Sequence, residues 1–383
     1  MARTPTHHDA HGAHDGRGAH DGRDTHDGHD TKNAHGARRR AVLRNTRLGF
    51  SRRVDLRVVA VLVATIVACG AIAAYGMTLG DYPVPFGDVW LTLLGQGTDG
   101  HEFIVLDLRL PRVAVAVCAG AAMGLSGAIF QSFARNPLVS PDIIGVNTGA
   151  ALVAVALLTT YAGHRHLLEL GAFAGAIGAA VLVYLCARSK GLSPYRMVLI
   201  GIGTDAFCRA GISLFLVQGE STQAQTAVLW MVGSLHRADD ASVRFLLVML
   251  AVLGPAAMVL RRALENVQLG DDAARALGVR VERTRLAVLV VGVLLAASAV
   301  AICGPVAFVA FISPHLARRM ARAPGPSIFA VAAAIGAFLF LFADLIAQHA
   351  VPVGLPLGVI TPLIGAPYFL YLLLRASRHE EVT

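Results

Sequence analysis

The chain has 383 residues, 55% of them hydrophobic and 15% charged, with a net charge of +8 and a mean hydropathy of +0.60. A soluble domain carries about 25% charged residues, so a soluble enzyme of this length is excluded. The apolar residues fall in runs such as 58–79 and 286–301, close to the roughly 20 residues that cross a bilayer as a helix, and the composition is that of a polytopic membrane protein.

Residues 1–36 repeat His-Asp-Gly at His14, His20 and His26 and hold eight of the fifteen histidines with almost no apolar residue. Such a segment cannot bury enough surface to offset chain entropy, so disorder is expected. Clustered imidazoles and carboxylates can collect divalent metals weakly, but the repeat dictates no coordination geometry. An arginine-rich stretch from Arg38 to Arg53 follows, and the first apolar run begins only near Val58, too late for a cleavable secretory signal. Residues 1–55 read as a disordered, His-rich and Arg-rich cytoplasmic tail, 56–375 as the transmembrane domain, and 376–383 as a cytoplasmic C-terminal tail.

Length and hydropathy place ten helical spans, at 58–79, 110–133, 141–161, 167–187, 196–217, 243–260, 285–303, 306–320, 327–347 and 357–374. Glycines recur at three- and four-residue spacing, as Gly120, Gly124 and Gly127, Gly145 and Gly149, and Gly171, Gly175 and Gly178. That spacing lets helices approach closely in lipid. Arginines before the first span and at Arg135, Arg188, Arg196, Arg261 to Arg285, Arg318, Arg319, Arg322, Arg375 and Arg378 occupy one set of loops, while the alternate set is poor in bases and holds Asp81, Asp88, Asp99, Glu102 and Asp107. An even number of spans with both termini cytoplasmic satisfies the positive-inside rule.

Five cysteines, Cys69, Cys118, Cys186, Cys208 and Cys303, lie singly in apolar runs, so neither a disulfide framework nor a zinc site is expected. The lysines are Lys32 and Lys190 and neither follows a glycine, so the chain has no GxxxxGK[ST] phosphate loop. HExxH and GxSxG are absent too. Asp205, His315, Asp344 and His349 are scattered singly through the spans, and no metal site is predicted. Three classes stay open at this point: a channel or secondary transporter, a membrane enzyme, and the membrane half of an ATP-driven transporter, in which another subunit would bind the ATP.

Two stretches carry more information. Leu269 to Val279, in a predicted cytoplasmic loop, reads as a short helix with acids in its first turn and a glycine stop; it fits either a knob for another protein or a locally ordered loop. Asp205 and Arg209 stand four apart on the fifth span and share a face. Ionisable groups at membrane depth mark a path or a buried pair, and both readings remain open. His315, after Pro314, is read as structural, through a bond to a helix carbonyl.

Taken in order, several motifs resemble the FecCD-type permeases, the iron-siderophore and cobalamin family of ABC importers. They are Arg109-Leu110-Pro111-Arg112, Gly120 through Gly127 to Gln131, Arg135-Asn136-Pro137-Leu138 with Ser140-Pro141-Asp142 and Gly145, and Trp230 with Gly233-Ser234-Leu235. The Leu269 to Val279 stretch, Gly304-Pro305-Val306-Ala307-Phe308-Val309, Pro314-His315, Ala343-Asp344, Leu355-Pro356-Leu357-Gly358 and Gly365-Ala366-Pro367 continue the series.

The resemblance implies an all-α type II ABC importer permease that moves ferric siderophore complexes across the cytoplasmic (inner) membrane, with cobalamin or haem as the alternative cargo; an ion-driven secondary transporter is the alternative from another class. It implies a second permease subunit, ABC ATPase subunits that carry ATP and Mg, and an extracytoplasmic siderophore-binding protein, with no cofactor in this chain and no nucleic-acid partner. Leu269, Gly270, Asp271, Asp272, Ala273, Arg275, Leu277 and Gly278 match the family's ATPase-coupling helix. Arg109 and Arg112 match arginines that receive acidic residues of the binding protein; Gln348 stands where a further basic residue is usual, and Gly354 where a Glu is common. The fifth span, with Asp205 and Arg209, would line the translocation path, and Ser193, Pro194 and Tyr195 would form its gate.

Overall fold

The computed structural model describes residues 40–45, 50–161, 165–188, 194–323, 325–350 and 354–380. The predicted disorder of residues 1–36 lies outside them. Arg40–Asn45 and Phe50–Asp55, within the stretch read from the sequence as tail, pair as antiparallel strands with Arg40 opposite Asp55 and Asn45 opposite Phe50. Val42, Leu43, Phe50 and Val54 favour extended backbone, and an isolated pair of strands adds little stability.

Each predicted span is a helix: α1 (Leu56–Thr78), α2 (Leu110–Ala134), α3 (Val146–Thr160), α4 (Arg165–Ala187), α5 (Pro194–Gln218), α6 (Asp240–Gln268), α7 (Val281–Cys303), α8 (Val309–Ala321), α9 (Phe329–His349) and α10 (Leu357–Glu380). Among the described residues, seven of these are long and apolar enough to cross a membrane, while α3 and the apolar part of α10, Leu357–Leu372, are shorter. The tenth, α8, has 13 residues with Arg318 and Arg319 in its last turn. Its late start has a backbone cause. Gly304 (φ 73) and Phe308 (φ 69) are left-handed and Pro305 has no N–H to give, so the chain cannot coil before Val309. The span predicted from 141 likewise opens as a 3-10 turn, Pro141–Ile144, closed by Gly145 at φ 78, before α3 begins. At the other extreme α10 runs to Glu380, so most of the predicted C-terminal tail is helical.

The frame is built on α2, which is buried on nearly every side from Val115 to Phe133, as a helix apolar all round should be. It packs along α9, α7, α8 and α6, while α1 and α5 keep most of their surface outside the chain's own core. Ser126 Oγ donates to the Gly292 carbonyl of α7 at 2.7 Å and Gln131 Nε2 to the Phe311 carbonyl of α8 at 3.0 Å. A methyl group added at Gly120 or Gly124 would overlap the backbone of α9 at Gly336 or Ala332, and one at Gly127 would overlap the Ala310 carbonyl of α8. Gly149 of α3 and Gly175 of α4 touch in the same way, whereas Gly178 has nothing within 4 Å of where its Cβ would stand. The regular spacing therefore hides two populations.

Gly127→Val should destabilise the purified chain by about 3 kcal/mol by forcing α2 off α8, whereas Gly178→Ala should be neutral or gain up to about 1 kcal/mol. Thermal unfolding in detergent checks both, and equal effects would refute the distinction.

Candidate functional site

At the predicted cytoplasmic end, α6 stops at Leu269 and the chain turns through Gly270 (φ 115) into a one-and-a-half-turn helix, Asp271–Ala276. The Val279 N–H bonds to the Ala274 carbonyl and the Gly278 N–H to the Arg275 carbonyl, at 3.0 and 2.9 Å, with Gly278 left-handed at φ 79. This is a Schellman stop, which needs a residue that tolerates that backbone. The helix is anchored by a small core of Val267, Ala274 and Val281 and by Arg285 Nη2 of α7, 2.8 Å from Asp271 Oδ1. Arg275 pairs with Asp272 at 3.0 Å. Asp272, Ala273, Arg275, Leu277 and Gly278 are exposed, and so are the apolar side chains of Leu269 and Leu277, at 69% and 60%. The predicted set thus splits: Ala274, absent from it, faces inward, Asp271 is tied to α7, and the rest form one free surface.

The root of this segment is fastened to α2. Arg135, left-handed at φ 52 as the cap of α2, donates through Nη2 to the Val267 carbonyl, and Gln268 Nε2 donates to the Ser132 carbonyl at 3.0 Å. In the sequence Arg135 is a topology charge and part of the Arg135-Asn136-Pro137-Leu138 motif, and Gln268 carries no signal. A carbonyl partner 132 residues away has no sequence signature.

Along α5 the buried stripe is Met197, Gly201, Thr204, Cys208 and Ile212, one residue per turn. Gly201 sits against the Ile143 carbonyl of the 3-10 turn, where a Cβ would overlap it. Asp205 lies beside this stripe, and Arg209 Nε reaches its Oδ2 at 2.7 Å with the two side chains 30% and 69% exposed. Tyr195 is exposed, Pro194 opens the helix and Ser193 lies outside the described residues. The pair is therefore formed, but it lies on an open face and is not buried. Asp142, within charge–charge range of Asp205, accepts from Ser140 Oγ at 3.5 Å through one oxygen, while its other oxygen is buried without a partner.

At the opposite end, the arginines predicted to face a docking protein turn inward. The helix widens to a π-helical turn over Phe103–Arg109, and Arg109 donates to the carbonyls of Met77 and Tyr82 at 2.5 and 2.6 Å, closing the end of α1. Arg112 grips Asp344 of α9 with two bonds, Nε to Oδ2 at 3.0 Å and Nη2 to Oδ1 at 2.9 Å. Gln348 Nε2 adds a third bond to Asp344 Oδ2 at 2.7 Å. The Asp344 side chain is 3% exposed, and removing one partner of so buried a pair costs about 3–5 kcal/mol. The spacing from Arg109 to Arg112 could be read in the sequence; the partner 232 residues downstream could not.

His315 Nδ1 is buried with no hydrogen-bond partner, and the ring meets Tyr368 of α10 edge-on at 5.7 Å. The expected carbonyl bond is therefore not made through Nδ1. Beside it, Arg318 bonds to Gln131 Oε1 and Arg319 lies over the Tyr371 ring at 5.9 Å. Among the described residues, no three His, Cys, Asp or Glu side chains are grouped so as to hold a metal ion.

This arrangement, a helical membrane frame with a charged, glycine-bounded knob at one end, has close relatives. The chain is 37% identical over 328 residues to the ferric enterobactin transport system permease protein FepG of Escherichia coli, covering 85% of this chain and 99% of that one. It is 38% identical to the achromobactin transport system permease protein CbrC of Dickeya dadantii, over 86% and 95% of the two chains, and 37% identical to the iron(3+)-hydroxamate import system permease protein FhuG of Bacillus subtilis, over 74% and 87%. A solved metal-chelate type ABC transporter in an inward-facing conformation superposes with a TM-score of 0.75 at 27% identity, covering 82% of this chain and 99% of that one. Residues 57–375 match the FecCD transport family, and the chain belongs to that family of multi-pass membrane permeases.

Proposed function

We propose that this chain is the permease subunit of an ATP-driven importer that carries ferric siderophore complexes across the cytoplasmic membrane, with both termini inside. The observation that carries the proposal is the Asp271–Ala276 knob. Its acids are paired within the chain, by Arg275 and Arg285, and the surface it offers a partner combines the exposed apolar side chains of Leu269 and Leu277 with the exposed Asp272–Arg275 pair. The relatives named above are iron-chelate permeases by description, which supports the cargo, and a metal that arrives already chelated needs no ligands from the wall.

The mechanical reading follows from what the knob is fastened to. A push on Leu277 reaches α7 through Arg285 and α6 through the Val267–Ala274–Val281 core, while Arg135 and Gln268 carry it to α2. Three helices of the frame thus share one lever. In this reading closure of the ATPase subunits moves that lever, and α5, with its open face, takes up the displacement on the side of the path. The chain supplies no phosphate-binding loop, so hydrolysis belongs to its partner.

Uptake of labelled iron presented as ferric enterobactin, ferric citrate and a ferric hydroxamate, with labelled cobalamin and haem alongside, tests the cargo in a deletion strain and its complemented partner. Rescue of a ferric chelate that stops on ATP depletion is expected; rescue of cobalamin or haem alone would refute the siderophore assignment, and uptake that follows an ion gradient would refute the ATP-driven one. Gly270→Val, strained at φ 115, and Leu277→Glu should each lower uptake about tenfold by damaging the contact surface, with the protein still present in the membrane. Arg135→Gly keeps the left-handed cap but deletes the bond to Val267, and should lower uptake about tenfold. Unchanged transport in that variant would detach α2 from the lever.

A further inference from the structure

Helices α4 and α7 leave between them a groove of about 110 Å³, walled by Ile177, Val181 and Tyr184 on one side and Leu286, Val290 and Val293 on the other. It opens outward, since Val181 and Val290 are 47% and 45% exposed. The one polar side-chain atom in its lining is the Tyr184 hydroxyl. Ile177 to Tyr184 covers about 11 Å of helix and Leu286 to Leu294 about 12 Å, close to the roughly 15 Å depth of one leaflet in a bilayer with a core about 30 Å thick. On each helix the lining positions recur every three or four residues, the spacing of a single face. Carried one turn further, the two stripes end on Arg188, four beyond Tyr184, and on Arg283, three before Leu286. Both arginines are exposed, and among the described residues neither is paired with a carboxylate. Glu282, the acid on the same turn of α7, is held by Arg285 Nη1 at 3.5 Å. The groove is thus apolar along its length and cationic at the end that the positive-inside pattern places in the cytoplasm.

We propose that this groove seats one acyl chain of an anionic phospholipid of the cytoplasmic leaflet, with the phosphate held between Arg188 and Arg283. An acyl chain gains little by leaving other lipid for an apolar groove, so the charge at the mouth makes the selection. Each arginine near the surface favours an anionic headgroup over a zwitterionic one. A second copy of this chain fits the face poorly, because two copies side by side in one membrane would bring the same arginines against each other. The seated lipid braces α4 against α7 immediately beyond Arg285, the residue that ties the knob to α7. Only that mechanical consequence and the choice of leaflet rest on the importer reading; the binding belongs to the chain and is measured without transport.

The test is a lipid count on the full chain. The purified protein in detergent is titrated with dioleoylphosphatidylglycerol or dioleoylphosphatidylcholine, and native mass spectrometry reads the number bound. One phosphatidylglycerol should bind about tenfold more tightly than phosphatidylcholine. Arg188→Gln combined with Arg283→Gln should erase that preference. Val290→Trp, which fills the groove, should remove the bound lipid, while Leu185→Trp, on the exposed surface of α4 outside the groove, should keep it. Equal binding of the two lipids, or a preference that survives the arginine replacements, overturns the proposal. So does equal loss in Val290→Trp and Leu185→Trp, which would mean that the lipid coats the helix and does not occupy the groove. If the unaltered chain is a dimer that Val290→Trp splits, the groove belongs to a second copy and the proposal fails. Should Val290→Trp not reach the membrane, Val181→Trp on the facing wall decides by the same count.

Discussion

Everything in this molecule depends on how closely α2 can approach its neighbours. In lipid the tails are as apolar as the side chains, so helices gain little by burying them and must gain by contact and by hydrogen bonds across the interface. Gly120, Gly124 and Gly127 remove the side chains that would hold α9 and α8 away. With the backbones that near, Ser126 and Gln131 reach carbonyls on α7 and α8. Tight packing and interhelical hydrogen bonding are therefore one device, and larger residues at these glycines would lose both.

The same frame explains why the irregular segments sit where they do. Lipid tolerates non-helical backbone only where protein covers it. The Gly304–Phe308 segment meets this condition: Gly304 and Val306 are buried, Gly304 lies against the Trp230 carbonyl, and Gly233 and Gly358 lie against the Pro305 carbonyl. A left-handed Phe308 costs about 1–2 kcal/mol, and the ring contacts with Phe311 at 6.5 Å and onward to Phe369 help to hold it in place. The short helix α8 is thus tied to α10 by aromatic contacts and to α2 by Gln131 and Arg318. It behaves as part of the frame although its own length would not span a bilayer.

Charge is handled in a consistent way at both ends. Asp271, Asp272 and Arg275 are satisfied locally, and Arg109, Arg112 and Asp344 are satisfied across helices. Free charge at an interface steers encounter more than it adds affinity, while a neutralised knob presents shape. Apolar surface stands open beside these pairs, at Leu269 and Leu277 at one end and on the face of α5 carrying Tyr195, Leu199 and Ile202 along its length.

The sequence by itself determined the helices, because each is local: apolar length, glycine and proline stops, and the alternation of basic loops are all read within a few turns. It also located the knob, whose first-turn acids and terminal glycine are local signals. Tertiary structure alone decided which glycines are contact points, since Gly127 and Gly178 look alike until a neighbouring carbonyl is placed beside one of them. It decided the partners of Arg112 and Arg135 as well. Both arginines act on groups more than a hundred residues away, and a side chain's partner at that separation is a consequence of how helices pack, which no local pattern encodes. The late start of α8 is a further case: hydropathy counts the residues from 306 as a span, but the backbone is left-handed at Gly304 and Phe308 and the helix begins only at Val309.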